Sequence, residues 1–290
     1  MSATEPQLPP ATPRHDAAAL LDKMRWTAEM SAESYGVRFG IRSNELDLLD
    51  TVLNCLSPGT TLDRFSDGAR VYSLILDREE PHLGRRYVVF RDRVLVGYSS
   101  STDGAYRLLG SDAQLYVAEM APERVFIHAG VVGWRGRAII MPGRSFVGKS
   151  KLVLELVRAG AEYYSDEYAV IDAAGRVHPY PRALCLRADI GGPGAVTESA
   201  ECLRRIGTVA LRAGLVLVCQ FQNGGEWRPE RLTAGAGALA LLANTVSARR
   251  MPDFVMATLC KLVADAPIVA GERGEAAEVV RTILDLAELG

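Results

Sequence analysis

No apolar run in this chain approaches the roughly 20 residues that a bilayer-spanning helix needs, so a membrane partner is not expected. Cysteine is scarce and scattered. Cys55, Cys185, Cys202, Cys219 and Cys260 stand singly with no C-x-x-C pair. That excludes a zinc-ligand pattern and a disulfide framework, and it suggests a reducing, cytoplasmic setting. A basic surplus is missing as well: 33 Lys and Arg face 35 Asp and Glu, for a net charge of −2. Nucleic acid is therefore not an expected partner. The N-terminus lacks the charged-then-apolar pattern of a secretory signal, and there is no internal repeat or heptad. What remains is an ordinary globular composition, 48% hydrophobic and 23% charged, in 290 residues. That is enough for one large domain or two modest ones.

Turn formers divide the chain. Pro6, Pro9, Pro10 and Pro13 mark residues 1–15 as a disordered tail. Residues 16–122 read as a small α+β unit. Its expected elements are a helix over Asp16–Ser34, a strand over Tyr35–Arg42 and a helix over Asn44–Leu56 with Asn44 as N-cap. Three short strands over Val71–Asp77, Arg86–Phe90 and Arg93–Tyr98 follow, then a helix over Gly104–Met120. Residues 123–290 form the second unit. It opens with strands over Val125–Gly133 and Arg137–Met141, and a helix over Lys151–Arg158 closes at Gly160. A β-rich run over Glu162–Ile171 is broken by two acids, and Val209–Phe221 is a long strand. Helices over Ala234–Arg249, Asp253–Ala264 and Gly274–Leu289 end the chain.

Between the second of those strands and its helix lies Gly143-Arg144-Ser145-Phe146-Val147-Gly148-Lys149-Ser150, a complete G-x-x-x-x-G-K-S motif in the strand–loop–helix context it requires. Its amides and the helix N-terminus would converge on a phosphate. Lys149 would reach the β/γ-phosphates, Ser150 would ligate Mg²⁺, and Lys151 is counted with the nucleotide-binding residues.

Several residues could add chemistry. Asp166 is a charge on an otherwise apolar strand; such a carboxylate faces the γ-phosphate in nucleotide-binding folds, or faces solvent at an edge. Glu167 is a candidate metal ligand, though adjacent strand residues point to opposite faces. His128 sits mid-strand, where a lone histidine is commonly a satisfied core or edge residue. His178 lies in a rigid proline-bounded segment, where loops carry function more often. Arg182 and Arg187 can fork onto phosphate oxygens or simply be solvated. Gly271–Glu275 opens the last helix; capping explains it, and Arg273 can serve as a second phosphate contact. Trp227 either packs a loop or lines a substrate mouth.

Taken in order, the strand with His128-Ala129-Gly130-Val131-Val132, the motif Gly143–Ser150, Gly160, and Ser165-Asp166-Glu167 resemble the catalytic domain of the HPr kinase/phosphorylase family. That core is related to phosphoenolpyruvate carboxykinase. The resemblance implies an α/β P-loop nucleotide-binding domain of that type, carrying a small N-terminal α+β unit. It also implies ATP and Mg²⁺ as cofactors, Asp166 as the base that activates an acceptor serine, and His128 assisting it. It covers about a third of the chain. The first 120 residues differ from that family's N-terminal domain, and His178-Pro179-Tyr180-Pro181-Arg182 stands where the family has a glutamate-containing signature. The chain is more similar to divergent HPr kinase-related proteins, some of which resemble kinases that tailor ribosomally made peptides such as lasso peptides. The expected activity is transfer of the γ-phosphoryl group to a serine of a peptide or small protein. The alternatives are a kinase of sugar or amino-acid hydroxyls and a nucleotide sensor without catalysis. The resemblance also allows a homo-oligomer.

Overall fold

Two main sheets organise the chain, one in each of two units, Met1–Gln114 and Leu115–Gly290. The computed structural model describes residues 20–64, 70–78, 86–143, 148–187, 195–197, 202, 204–264 and 266–288. The expected tail over residues 1–15 lies outside them.

The first unit is a six-stranded sheet ordered β3-β1-β2-β4-β5-β6. Its strands are β1 (Ala28–Ser34), β2 (Val37–Ser43), β3 (Thr61–Arg64), β4 (Val71–Asp77), β5 (Arg86–Arg91) and β6 (Val94–Ser99). Helix α1 (Thr102–Met120) follows, and the division between units falls inside it rather than at residue 122.

Two sequence expectations need correction here. Among the described residues of the expected first helix, 20–23 are helical and the second half is strand β1. Tyr35 and Gly36 both take positive φ (50° and 78°), which is the turn that closes a two-residue hairpin. All seven residues of β1 then pair with β2, and that ladder overrides the helix propensity of Ala, Glu and Met. Residues 44–56 form two 3₁₀ turns, Leu46–Leu48 and Val52–Cys55, instead of a helix. Asn44 does not cap them. Its amide brackets Leu76, donating to the carbonyl at 3.0 Å and accepting from the N–H at 2.9 Å.

The second unit begins with β7 (Arg124–Trp134), β8 (Arg137–Pro142), α2 (Lys149–Arg158), β9 (Glu162–Ser165), β10 (Tyr168–Asp172) and β11 (Val177–His178). The hairpin β12 (Cys185–Arg187) with β13 (Ala195–Thr197) stands apart as a small sheet. Then come β14 (Arg212–Phe221), β15 (Glu230–Arg231), α3 (Ala234–Leu242), α4 (Pro252–Ala264), β16 (Ile268–Arg273) and α5 (Ala276–Glu288). The main sheet is ordered β11-β10-β7-β8-β14-β16-β15, with β9 also on β7. Strands β8, β14 and β16 run parallel, and β7 runs antiparallel to β8.

Helices cover both faces of this sheet. Leu152, Leu156, Val279 and Ile283 of α2 and α5 join Ile139, Leu215 and Val269 in one apolar layer. Leu241, Val255 and Leu259 of α3 and α4 join Ile127, Ile140 and Val216 in the other. The architecture is mixed α/β, and its strands are buried on both sides as such a sheet requires. No helix among the described residues is long and apolar enough to cross a membrane.

Helix α3 stops at Leu242, short of the expected Arg249. Strand β16 covers residues 271–273, where the sequence suggests a turn opening the last helix. Gly130 on β7 lets α2 approach: a Cβ there would lie 2.7 Å from Val153 Cγ2. Gly130→Ala is expected to lower stability by about 1–3 kcal/mol, as overpacked core positions do. Urea denaturation of the two proteins measures this directly.

Asp172 ends β10 and ties down the turn to β11. It is 7% exposed. Its Oδ1 accepts the N–H groups of Ala174 (2.9 Å) and Arg176 (3.0 Å), while Oδ2 meets Arg176 Nε (3.0 Å) and His178 Nε2 (2.9 Å). Burial alone would raise its pKa, but the His178 bond, the two amides and the Arg176 charge outweigh that and hold it at about 2. A depressed carboxylate stabilises the fold above its unfolded pKa near 3.9, and loses that contribution as pH falls toward 2. Urea denaturation should find Asp172→Asn less stable than the parent by on the order of 2 kcal/mol at pH 6. The gap should shrink steadily between about pH 4 and pH 2.

Candidate functional site

The site gathers where β8 leaves the sheet and α2 begins. Arg144, Ser145, Phe146 and Val147 lie outside the described residues, as does the Arg187 side chain. The two ends of their loop are fixed. Gly143 donates its N–H to the His128 carbonyl on β7 at 3.0 Å. Gly148 is the N-cap of α2, with φ 79° and ψ 18°. That left-handed conformation favours glycine, and a Cβ here would also meet Arg273 Nη2 at 2.7 Å.

Lys149 opens the helix and donates from Nζ to the Gly143 carbonyl at 2.6 Å. Burial lowers its pKa, with Glu167, Asp166 and Cys219 pulling the other way. Ser150 follows it, and its hydroxyl lies 3.3 Å from Asp166 Oδ2. Lys151 points elsewhere: its ammonium pairs with Glu275 at 2.8 Å in an exposed ion pair.

Asp166 and Glu167 occupy the break between β9 and β10, at the level where β7 passes from one to the other. The Ser165 hydroxyl accepts the N–H groups of Glu167 (3.1 Å) and Tyr168 (3.0 Å), which fixes that break. Asp166 Oδ1 lies 3.0 Å from the Tyr163 hydroxyl, whose single proton is shared with the Arg182 carbonyl at 2.8 Å. Burial raises the Asp166 pKa, and the neighbouring Glu167 charge adds to that; the Tyr163 and Ser150 hydroxyls and the Arg182 charge act against it. A carboxylate pushed upward by burial while it keeps hydroxyl donors is suited to take a proton.

His128 faces Glu167, with Nδ1 3.9 Å from Oε1, and stacks at a tilt on Tyr168 at 4.8 Å between ring centres. The structure therefore brings Asp166, Lys149 and Ser150 together, and sets His128 with Glu167 beside them. His178 belongs elsewhere, on the Asp172 turn.

Arg273 lies against Gly148. It ends β16 and is 1% exposed. Nη2 donates to the Gly148 carbonyl at 2.8 Å and Nη1 to the Gly274 carbonyl at 2.9 Å. Its Nε is buried and finds no acceptor among the described residues. The guanidinium sits over Phe221 at 5.8 Å and against the Cys219 thiol, whose pKa is raised by burial and lowered in part by Arg273 and Lys149. Trp227 packs its ring on Gly271, next but one to Arg273, and its indole N–H is likewise buried without an acceptor among the described residues.

Nothing in the sequence singles out Tyr163, Cys219 and Phe221 as site residues. Tyr163 stands three residues before Asp166 on a strand, and no motif marks it. Cys219 and Phe221 become relevant only because β14 is the parallel neighbour of β8. Alternation along β14 could have put both on one face, but not beside this loop. Among the described residues no three His, Cys, Asp or Glu side chains cluster as a metal cage. A cation held by one or two protein oxygens plus substrate phosphates needs no such cage.

No family model matches the chain, and no curated protein matches it. Among solved structures, the HPr(Ser) kinase/phosphatase from Coxiella burnetii aligns with 57% of this chain and 96% of its own, at 13% identity and a TM-score of 0.29.

Proposed function

We propose that the protein is an ATP- and Mg²⁺-dependent kinase that transfers the γ-phosphoryl group to a hydroxyl, with serine of a peptide or small protein as acceptor. The observation that carries this reading is the meeting of Ser150 with Asp166, 3.3 Å apart, at the N-terminus of the helix that Lys149 opens. A hydroxyl and a carboxylate in that relation suit a metal-bound γ-phosphate with a base beside it. Pure nucleotide binding does not require a buried, upward-shifted carboxylate there.

The residues fit these groups. The guanidinium of Arg273 is buried, donates to two neutral carbonyls and has an Nε without an acceptor among the described residues, so an anion at the loop would be favoured beside it. Ser150 would hold Mg²⁺, with Glu167 as the second protein oxygen, and Asp166 stays free to act as base. When bound, Mg²⁺ neutralises charge on the β- and γ-phosphates.

The chain's own residues do the rest. Lys149 and the loop amides bind the triphosphate, and Arg273 braces Gly148 from behind. Tyr163 holds Asp166 through its hydroxyl. Asp166 accepts the proton of the acceptor hydroxyl as that oxygen bonds to the γ-phosphorus, and the bond from phosphorus to the ADP oxygen breaks. His128 and Glu167 flank the acceptor side.

Incubating the protein with γ-labelled ATP, Mg²⁺ and either serine peptides or sugars and free amino acids tests the reading. Label in the seryl hydroxyls supports a peptide kinase. Label in small metabolites instead moves the acceptor class, and Mg²⁺-dependent ATP binding without any transfer makes the protein a sensor.

A further inference from the structure

The parallel strands β8, β14 and β16 end along one edge of their sheet, at Pro142, Phe221 and Arg273. From β8 and β16 the chain enters α2 and α5, which pack in the apolar layer with Leu215 and Leu217. From β14 it goes on through β15 to α3 and α4, which pack in the other layer with Val216. Neighbouring parallel strands whose connections part to opposite faces leave a crevice beyond their carboxyl ends, and ligands of open α/β sheets bind there. Phe221 is the last residue of β14 and so stands at that crevice.

Leu215, Leu217 and Cys219 belong to the α2 layer, and alternation along β14 puts Phe221 on the same side. A Cβ added to Gly148 would lie 3.3 Å from the Phe221 Cβ, so Phe221 abuts the N-cap of α2. The Arg273 guanidinium lies 5.8 Å from the ring centre, and Phe221 stays 38% exposed. The sheet order then decides which end of a nucleotide the ring meets. Strands β7, β8, β14 and β16 lie side by side. His128 on β7, and Asp166 beside Ser150, lie on one side of the loop that leaves β8. Phe221 and Arg273 lie on the other. Amides of such a loop hold the α- and β-phosphates while its lysine reaches the β- and γ-phosphates. With the γ-phosphate at Asp166, the nucleoside falls on the β14 side.

We propose that Phe221 is the stacking platform for the base of the bound nucleotide. This deepens the nucleotide reading given above and rests on it. An aromatic face stacks on any nucleobase, because every base has a π-face of its own. Lys149 and the loop amides hold the phosphates, and Phe221 makes the site prefer a nucleoside triphosphate to the same phosphates without a base.

The test titrates the intact chain by calorimetry with Mg·ATP and, separately, with Mg²⁺ and inorganic tripolyphosphate, which lacks base and ribose. Phe221→Ala should weaken Mg·ATP binding about tenfold or more and leave tripolyphosphate within about twofold of the parent. Phe221→Leu, which keeps apolar bulk beside Gly148, should lose Mg·ATP affinity in the same selective way. Phe221→Tyr keeps the ring and should retain both affinities. Tripolyphosphate binding and urea midpoints verify that each variant is folded. The proposal is overturned if the Ala and Leu variants weaken both ligands equally, since the ring would then only support Gly148. It is also overturned if neither ligand is weakened. A parent that does not bind Mg·ATP contradicts the nucleotide reading itself, and this assignment with it.

Discussion

Asp166→Asn is expected to lower phosphoryl transfer by about 10²–10⁴-fold while leaving nucleotide affinity within a few-fold of the parent. The amide keeps the size of the carboxylate; its oxygen still accepts from one of the Tyr163 and Ser150 hydroxyls and its NH2 donates to the other, so the break between β9 and β10 should persist. What it loses is the capacity to take a proton. Because burial raises the Asp166 pKa, the parent rate should fall on the acid side with a midpoint above the ordinary carboxylate value near 3.9. The sign follows from the role: the base works only when ionised, so protonation at lower pH removes activity. In Asp166→Asn that acid limb should vanish along with most of the rate. Steady-state ADP formation from pH 4 to 8, with nucleotide binding measured in parallel, separates loss of a base from loss of a binding site.

The second large effect is expected from Lys149→Met, which should weaken Mg·ATP binding about a hundredfold or more and abolish transfer with it. Each hydrogen bond from a charged donor contributes about 1.5–3 kcal/mol, and a lysine bridging two phosphates makes at least two. The fold should survive. Burial already disfavours the Lys149 ammonium, and its contact with Gly143 is to a neutral carbonyl. Replacing it with an apolar chain of similar length leaves no buried charge behind. A urea midpoint at or above the parent value, together with lost nucleotide binding by fluorescence titration, would separate the ligand's loss from the fold's.

The geometry around Lys149 was readable in the sequence because it is local. Apolar residues before Gly143 and a 3.6-residue apolar period after Ser150 specify strand, loop and helix within about 20 residues. The acids at 166 and 167 interrupt a β-prone run, and the structure has its break at that point. What stayed hidden depends on distant partners. Strand β16 is six residues long and contains Gly271, Glu272 and Arg273, so it reads as a turn. Its pairing with β14 on one side and β15 on the other makes it a strand, and the β14 pairing carries Arg273 into the interior behind Gly148. The sequence marked Arg273 as a phosphate contact without any means of seeing that burial. Strand β1 was hidden in the same way, since its residues favour helix until the Tyr35-Gly36 turn folds them onto β2. Tyr163 on Asp166 joins a residue on β9 to one in the following break. Only strand geometry sets that contact.

The central claim is that the loop binds a nucleotide so that Asp166 can activate a hydroxyl. Its most direct test is single-turnover transfer of label from γ-labelled ATP to a pool of serine peptides by the parent and by Asp166→Asn, each saturated with Mg·ATP. The account expects phosphoserine from the parent, and from the variant at least a hundredfold less at comparable nucleotide occupancy. Equal rates in the two proteins, or no Mg²⁺-dependent nucleotide binding by the parent, would contradict it.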